Sequence, residues 1–342
     1  MARGGASHVL ALLAEGLANH GYDVDLVFLR IRNKYKIDEN VKIHALFKPD
    51  AEPSKLACFK KISDFIKKSD ADLIISFLIE VNIISIIANR GRKRIIISER
   101  NDPKIAANKI IYMASKLLYN FADRIVFQSD KVRKYYSRSI QKKSCVILNP
   151  IDVRANQSCI SDSHQIVAVG KLYPQKNHKL LIDAFSMLLK DYPEYQLHIY
   201  GDGPLKGELE KQILLNNIAG KVILQGNQPN VQECISNAEM FILSSDYEGL
   251  SNALLEAMAI GIPSISTKCA GSEEIINDGS NGLIVPVGDR DSLYKAMKSF
   301  VENRELREKI HIEAKKIREK IDKNKVVGEW NKLVGEIMKE AK

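Results

Sequence analysis

Cysteine is scarce and scattered: Cys58, Cys145, Cys159, Cys234 and Cys269 are odd in number, and no two form a C-x-x-C pair. Structural disulfides and a structural zinc are thereby set aside, and the usage fits a reducing compartment. The seven histidines make no H-E-x-x-H or His-Cys cluster. Long apolar runs are missing too. The nearest, Leu73 to Ala88, is interrupted by Glu80 and Asn82 and reads as a buried strand followed by a buried helix, not a membrane span. No signal-peptide pattern is visible. A cytoplasmic location is therefore expected, with peripheral attachment to the inner face of the cell membrane left open. Aromatic residues make up only 7%, and no helix-turn-helix, zinc or aromatic RNA-binding signature accompanies the basic charge. Nucleic acid is not an expected partner.

What is present is an ordinary globular composition, 45% hydrophobic and 27% charged. The length, 342 residues, exceeds one ordinary core and predicts two domains of roughly 150 residues each. The net charge of +9 is uneven: residues 1–150 hold 27 Lys and Arg against 15 Asp and Glu, and the remainder holds 24 against 27. The first half is expected to meet something anionic, such as a lipid phosphate or an anionic membrane surface; plain solubility is the alternative.

Short β-branched runs alternate with helical stretches. Strands are predicted at 23–29, 41–46, 72–78, 94–98, 124–128 and 145–148, and again at 166–169, 196–200, 222–225, 240–243, 264–266 and 282–285. Most are nearly continuous apolar runs, as in parallel strands covered on both faces. The pattern predicts an α/β fold with two Rossmann-like, doubly wound domains facing a cleft. The polar, aperiodic stretch Asn149 to Gln165 separates them. The expected organisation is residues 1–150 for one domain, 151–163 for a linker, 164–320 for the second domain and 321–342 for a C-terminal helix packing back towards the first.

Two segments carry chemistry. In "SSDYEGLSNALLEAMAIGIPSIS", Ser244 to Ser266, a strand leads through a polar turn into a helix whose N-terminus would face the cleft, a ready phosphate site. Glu248 stands just before that helix. Glu256 lies inside it, the only acid between Gly249 and Thr267. A carboxylate on a helix this apolar is costly unless something binds it, and a ligand bearing hydroxyl donors would. The plainer alternative makes Glu248 a helix-start acid and lets Glu256 reach solvent or a lysine. In "VAVGKLYPQKNHKLLIDAF", Val167 to Phe185, Lys171 and Lys176 sit in a loop at a strand's carboxyl end. Two ammonium groups there can neutralise a diphosphate in ground and transition states, or can be solvated loop lysines.

Together "GKLYPQKN", "GDGPLKGELE", "EGLSNALLEAMA" and "AGSEEIINDGSNGLIVP" resemble the C-terminal domain of family 4-type retaining glycosyltransferases of the GT-B fold, whose acidic pair is spaced E-x7-E, matched by Glu248 and Glu256. The resemblance is densest between Gly170 and Gly288. It implies that Glu248 positions the donor sugar and that Glu256 accepts hydrogen bonds from the ribose. It also implies that Lys171 and Lys176 clamp the diphosphate with help from the backbone of Gly249, Leu250 and Ser251. Catalysis would rest on Glu248, Lys176 and Lys171. Lysine stands at 171 where the family often has arginine, which keeps the charge but loses the planar fork. "GDGPLKGELE" lacks G-x-G-x-x-G spacing, so Gly201 and Gly203 are read as a tight strand-to-helix turn lining the nucleotide site. The loop Gly226–Asn230 is too generic to choose a base; a UDP-sugar is favoured, with a GDP-sugar as alternative.

The resemblance assigns the acceptor, a lipid-linked or nascent glycan, to the first domain. "SERNDP" carries Arg100 where some relatives have histidine, leaving Arg100 as a phosphate contact or as a structural ion pair. Ser54 to Ser69 is a basic amphipathic segment with Leu56, Phe59, Ile62 and Ile66 on one face and Lys60, Lys61, Lys67 and Lys68 elsewhere. It is a candidate for anionic lipid, or an ordinary surface helix. Asp23-Val24-Asp25 and Asp289-Arg290-Asp291 have D-x-D spacing but sit at element starts, so no metal and no cofactor are expected. The opening "MARGGASH" places Gly4 and Gly5 where the family has a glycine pair at the cleft edge, near donor phosphates, and His8 where many relatives have arginine, as a candidate acceptor or phosphate contact. A strand expected before Gly4 is missing, which points to a start site placed too far downstream or to truncation. Two rival functions remain: a nucleotide-sugar 2-epimerase on the same fold, and a non-catalytic nucleotide-sugar-binding remnant.

Overall fold

The structure is a computed structural model that describes residues 5–31, 37–156 and 159–340. The chain forms two compact units, one of Met1–Pro150 with Ile321–Lys342 and one of Ile151–Lys320.

Among its described residues the first unit holds six strands: β1 (Val24–Phe28), β2 (Val41–Ala45), β3 (Leu73–Phe77), β4 (Arg94–Ser98), β5 (Arg124–Phe127) and β6 (Ser144–Val146). All pairings are parallel, as the apolar runs predicted. The strands do not make one sheet. β1 and β2 form a two-stranded sheet, and β3-β4-β5-β6 a separate four-stranded one. Among the described residues no strand joins β1 to β3. Helix Gly5–Asn19 contributes to both cores. Val9, Leu13 and Leu17 pack with Phe77, Ile96 and Val126 of the larger sheet, while Ala14 packs with Leu26, Phe28 and Val41 of the smaller. Ile95, Ile96, Ile97, Ile125, Val126 and Phe127 are buried to 1% exposure or less, so β4 and β5 are covered on both faces. The C-terminal helix Lys323–Lys339 completes this unit. Trp330, buried, stacks on Phe77 at 5.8 Å between ring centroids, and Lys323 Nζ lies 3.5 Å from Glu15 of the first helix.

The second unit contains β7 (Gln165–Val169), β8 (Gln196–Tyr200), β9 (Val222–Gly226), β10 (Met240–Leu243), β11 (Ser264–Thr267) and β12 (Leu283–Val285). They form one parallel sheet in the order β12-β11-β10-β7-β8-β9. The chain winds outward from β7 through β8 to β9, then returns to β10 on the other side of β7. That reversal is the switch point of a Rossmann sheet, and ligands bind outside the carboxyl ends of the strands there. The core beneath it is closed by Leu181, Phe185, Leu188, Met240, Leu293, Met297 and Phe300.

The segment 151–163, read from the sequence as a linker, is laced to the second unit. Arg154 N donates to Gln232 Oε1 at 2.8 Å, Ser161 Oγ donates to Asn237 O at 2.7 Å, and Asp162 accepts from Arg307 Nη2 at 2.9 Å. Arg307 also pairs with the buried Glu239 at 2.6 Å. Polar residues marked this stretch as solvent-facing; long-range partners spent that polarity on hydrogen bonds instead.

Candidate functional site

The site begins where β7 and β10 end, side by side. β7 runs out into Gly170 and Lys171, then a single 3-10 turn, Pro174–Lys176, leads into helix His178–Asp191. β10 runs out into Ser244–Gly249 before helix Asn252–Ile260. These two loops are zipped together. Asp246 N donates to Gln175 O at 2.9 Å, Gln175 Nε2 to Tyr247 O at 2.9 Å, Asn177 Nδ2 to Asp246 Oδ1 at 2.8 Å and Ser244 Oγ to Lys176 O at 2.9 Å. Asn177 holds a left-handed conformation with φ 45°, and its side chain accepts from Leu180 N, capping the helix.

At the centre of the zipper, Lys176 Nζ meets Glu248 Oε1 at 2.5 Å, with the two side chains only 18% and 10% exposed. Ser245 Oγ donates to the same carboxylate oxygen at 2.8 Å. An ion pair this enclosed is held by geometry: removing one partner strands the other charge. The stem of Lys176 lies over Gly170, within about 3.1 Å of where a Cβ would stand. Lys171 points to solvent, with its Nζ 5.9 Å from the Tyr173 ring centroid. His178 is buried beneath, and burial followed by the neighbouring Lys176 ammonium pushes its pKa down to about 4. The ring is therefore neutral at physiological pH and adds no cation to the site.

Ser251 caps helix Asn252–Ile260, its Oγ accepting from Leu254 N, and Gly249 and Leu250 form the approach. N–H groups at such a turn have no partner within the helix. Glu256 is half-buried on this helix. Burial raises its carboxyl pKa to about 7, and Gln232 is what holds it down. Gln232 is itself anchored, Nε2 donating to Asp152 O at 3.0 Å.

Two further loops press on these. Gly201, at the end of β8, has φ 147°, and a Cβ there would fall 1.9 Å from Gly170 O. Gly271 would place a Cβ 1.9 Å from Gly249 O. Both are close backbone approaches that only glycine allows. Thr267 Oγ1 donates to Ser245 O at 2.5 Å and Cys269 Sγ to the same carbonyl at 3.3 Å, so β11's end backs the Glu248 turn. Burial pushes the Cys269 thiol up to about 11, which leaves it protonated and inert.

In the first unit the sequence candidates scatter. Gly4 lies outside the described residues, Gly5 opens helix Gly5–Asn19, and His8 is exposed on it. Arg100 is 8% exposed, not a surface contact. Its guanidinium lies 4.1 Å from the Phe77 ring centroid and its Nη1 donates to Asn149 Oδ1 at 2.8 Å. Burial pushes Arg100 down to about 9 and the adjoining Glu99 carboxyl up to about 7, although Tyr119 OH donates to that carboxyl at 2.8 Å. Helix Lys55–Lys68 carries Lys60 and Lys61 on its exposed side, but its apolar stripe is largely used: Ile62 and Ile66 are buried against Ala88, and only Leu56 is left out. The D-x-D pairs are structural. Asp23 and Asp25 bond Lys42 and His44, and Asp289 caps helix Arg290–Glu302. Among the described residues no group of three or more His, Cys, Asp or Glu could hold a metal ion.

Comparison with known proteins now bears on this geometry. The model of glycosyl transferases group 1 matches residues 152–317, and that of Glycosyltransferase Family 4 matches residues 3–155. The chain is 31% identical to an N-acetylgalactosamine-N,N'-diacetylbacillosaminyl-diphospho-undecaprenol 4-alpha-N-acetylgalactosaminyltransferase of Campylobacter jejuni, over 94% of each chain. It belongs to the family 4-type glycosyltransferases of the GT-B fold. A second Campylobacter jejuni relative, which adds N-acetyl-D-galactosamine to a GalNAc-containing undecaprenol-diphosphate glycan, is 30% identical over 98% of this chain and 96% of its own. Among solved structures, HepE of Anabaena in complex with UDP superposes with a TM-score of 0.77 at 17% identity, covering 98% of this chain and 96% of its own. The lipopolysaccharide outer core galactosyltransferase WaaB gives 0.73 at 20% identity over the same shares. Lys171, Lys176 and Glu248 stand in the loops at the carboxyl ends of β7 and β10, and Glu256 on the helix that follows β10.

The sequence put Lys171 and Lys176 together on a diphosphate and Glu248 on the donor sugar, and did not show that Lys176 and Glu248 form one ion pair. Asn177 was legible as the cap of the helix after Lys176, and it is one; Ser245, Asp246 and Thr267, which set the pair's geometry, were not. The offset between the two loops carries no local signal; it exists only because β7 and β10 are neighbours.

Proposed function

We propose that the protein transfers a hexose from a nucleoside diphosphate sugar, with UDP as the favoured nucleotide, to a lipid-linked or nascent glycan acceptor with retention at the anomeric carbon. The observation that carries this reading is the Lys176–Glu248 pair at the β7/β10 switch point, with Lys171 exposed beside it. The pair is an ammonium already held at a sheet end and compensated by a carboxylate. A diphosphate offers that ammonium a second anionic partner, and Glu248 stays close to receive hydroxyls of the transferred sugar. Lys171 adds an exposed cation, and the backbone at Gly249–Ser251 adds N–H donors. Negative charge grows on the leaving diphosphate in the transition state, so these groups accelerate as well as bind. Glu256 would accept hydrogen bonds from the ribose, which replaces the solvation that its burial removes.

The relatives' undecaprenol-diphosphate acceptors support a lipid-linked acceptor, and HepE's UDP complexes support a uridine donor. Cations supplied by Lys171 and Lys176 take the part a divalent ion plays elsewhere, so we propose a metal-independent reaction at the cytoplasmic face of a membrane. Front-face attack, with the diphosphate helping to deprotonate the acceptor hydroxyl, accounts for retention without a side-chain nucleophile. The test is a panel of nucleotide sugars against polyprenyl-diphosphate glycans, read by mass spectrometry and by NMR of the new linkage, with and without EDTA. A mass increase of one hexose or N-acetylhexosamine with an axial linkage retained from donor to product is expected. An inverted linkage, loss of activity in EDTA restored by Mg²⁺ or Mn²⁺, or donor conversion without any acceptor would each overturn part of the reading.

A further inference from the structure

The short helix Val231–Ile235 of the second unit carries Gln232, a half-buried residue whose side-chain amide is committed at both ends. Its Oε1 accepts from Arg154 N at 2.8 Å, and its Nε2 donates to Asp152 O at 3.0 Å. A backbone N–H only donates and a carbonyl only accepts, so the amide has a single orientation. Nε2 carries two N–H groups, and Asp152 takes one of them. The second is left for the Glu256 carboxylate, to which Gln232 hydrogen-bonds and whose ionised form that bond favours against burial.

Fastening the segment 151–162 does not by itself explain this residue. Ser161 Oγ donates to Asn237 O at 2.7 Å, Asp162 accepts from Arg307 Nη2 at 2.9 Å, and Arg318 Nη2 donates to Asn156 Oδ1 at 2.8 Å. Those bonds already hold the segment, and Gln232 adds a reach to Glu256. The charges nearby are turned on each other, with Arg154 Nε donating to Asp152 Oδ2 at 2.8 Å, so what meets Glu256 is an amide dipole. An ionised carboxylate has about four acceptor sites. One N–H orients it and leaves the others for hydroxyls, whereas a bidentate guanidinium would occupy both oxygens. Fixing a glutamate side chain upon binding costs rotamer entropy, and a carboxylate already held loses less.

We propose that Gln232 is the positioning residue of the ribose site. Anchored by the backbone of Asp152 and Arg154, its amide holds the Glu256 carboxylate in the orientation that accepts the nucleotide's hydroxyls. The inference rests on the reading of Glu256 as the ribose acceptor and names the side chain that prepares it.

The test is isothermal titration of the full chain with UDP and with 2′,3′-dideoxyuridine diphosphate, which lacks both ribose hydroxyls. The unaltered protein should prefer UDP by about tenfold or more. Glu256→Gln should remove most of that preference. Gln232→Met keeps the length of the side chain and loses its hydrogen bonds. Gln232→Glu keeps an oxygen for Arg154 N but turns the other end into an acceptor facing Asp152 O and Glu256. Both should cut the preference by about threefold or more, while affinity for the dideoxy nucleotide stays as it was. Ser161→Ala, which loosens the same segment elsewhere, should leave the preference intact. The positioning role is overturned if both Gln232 variants discriminate as the unaltered protein does, or if Ser161→Ala reduces discrimination as much as they do. Failure of the underlying reading looks different. If the unaltered protein shows no preference, or Glu256→Gln keeps it, Glu256 is not on the ribose and the role of Gln232 falls with it.

Discussion

Among the described residues each unit has six parallel strands, yet the two use them differently. In the second, six strands form one sheet, and the reversal at β7/β10 brings together the ends that carry Lys171, Lys176 and Glu248. In the first, the same number is divided into a pair and a quartet, joined by helix Gly5–Asn19 and closed by the distant C-terminal helix. A continuous sheet holds loop ends in fixed register, which suits a site that must place several charges. The divided unit depends on helices for its cohesion.

The comparison can be pressed hardest at the ion pair. Glu248→Ala and Lys176→Ala should each lower kcat by about a hundredfold or more, the scale of losing a charge-stabilising group. Neither should shift the melting of the first unit, read by calorimetry; a matching shift there would show that the units fold as one. Next in size is Trp330→Ala, which removes the largest fully buried side chain of the first unit. It should cost about 3–5 kcal/mol. Calorimetry should show the first unit melting ahead of the second, a gap that the variant widens. A single unchanged transition would contradict the division.

Glu256 gives a third, smaller effect with a sign that can be worked out. Its folded pKa is raised to about 7, above the unfolded carboxylate's, so between those values the folded protein binds more protons. Its contribution therefore favours folding below the unfolded pKa and is lost as pH rises towards 7. Glu256→Gln should raise the thermal midpoint at pH 8 and leave it nearly unchanged at pH 4. With Glu256 on the ribose as proposed, nucleotide binding should respond oppositely, since the ionised carboxylate is the stronger acceptor. Affinity of the original chain should fall as pH drops below about 7, and Glu256→Gln should bind about tenfold or more weakly with that dependence removed. Isothermal titration across the range reads both. The smallest change belongs to Lys60→Glu with Lys61→Glu: these side chains are exposed, so nucleotide affinity and thermal midpoint should stay as they were.

Strands were the most legible feature. Every predicted strand overlaps an observed one, because runs such as Arg94–Ser98 and Met240–Leu243 are apolar on both faces and flanked by polar turns. Glu256 was legible as an anomaly, a lone acid on an apolar helix, and burial does raise its pKa. Arg100 was not. Its sequence neighbourhood of Ser98, Glu99 and Asn101 is polar, and nothing local announces that Phe77 and Trp330 cover it. Ile110, Met113 and Leu117, exposed along one face of helix Lys109–Leu118, were hidden for the opposite reason. Apolar residues at helical spacing ordinarily mean a buried face, and only the fold turned that face outward.

Sequence alone therefore determined the parallel α/β class, the E-x7-E pair and the basic loop after β7, since these rest on residue type and spacing along the chain. Tertiary structure decided what faces what. Lys176 and Glu248 are 72 positions apart and meet because strands far apart in sequence are neighbours in the sheet. Trp330 reaches Phe77 because the last helix returns to the first unit. Which side of an amphipathic helix meets water is set by the surfaces already present around it, and that information lies in no single segment.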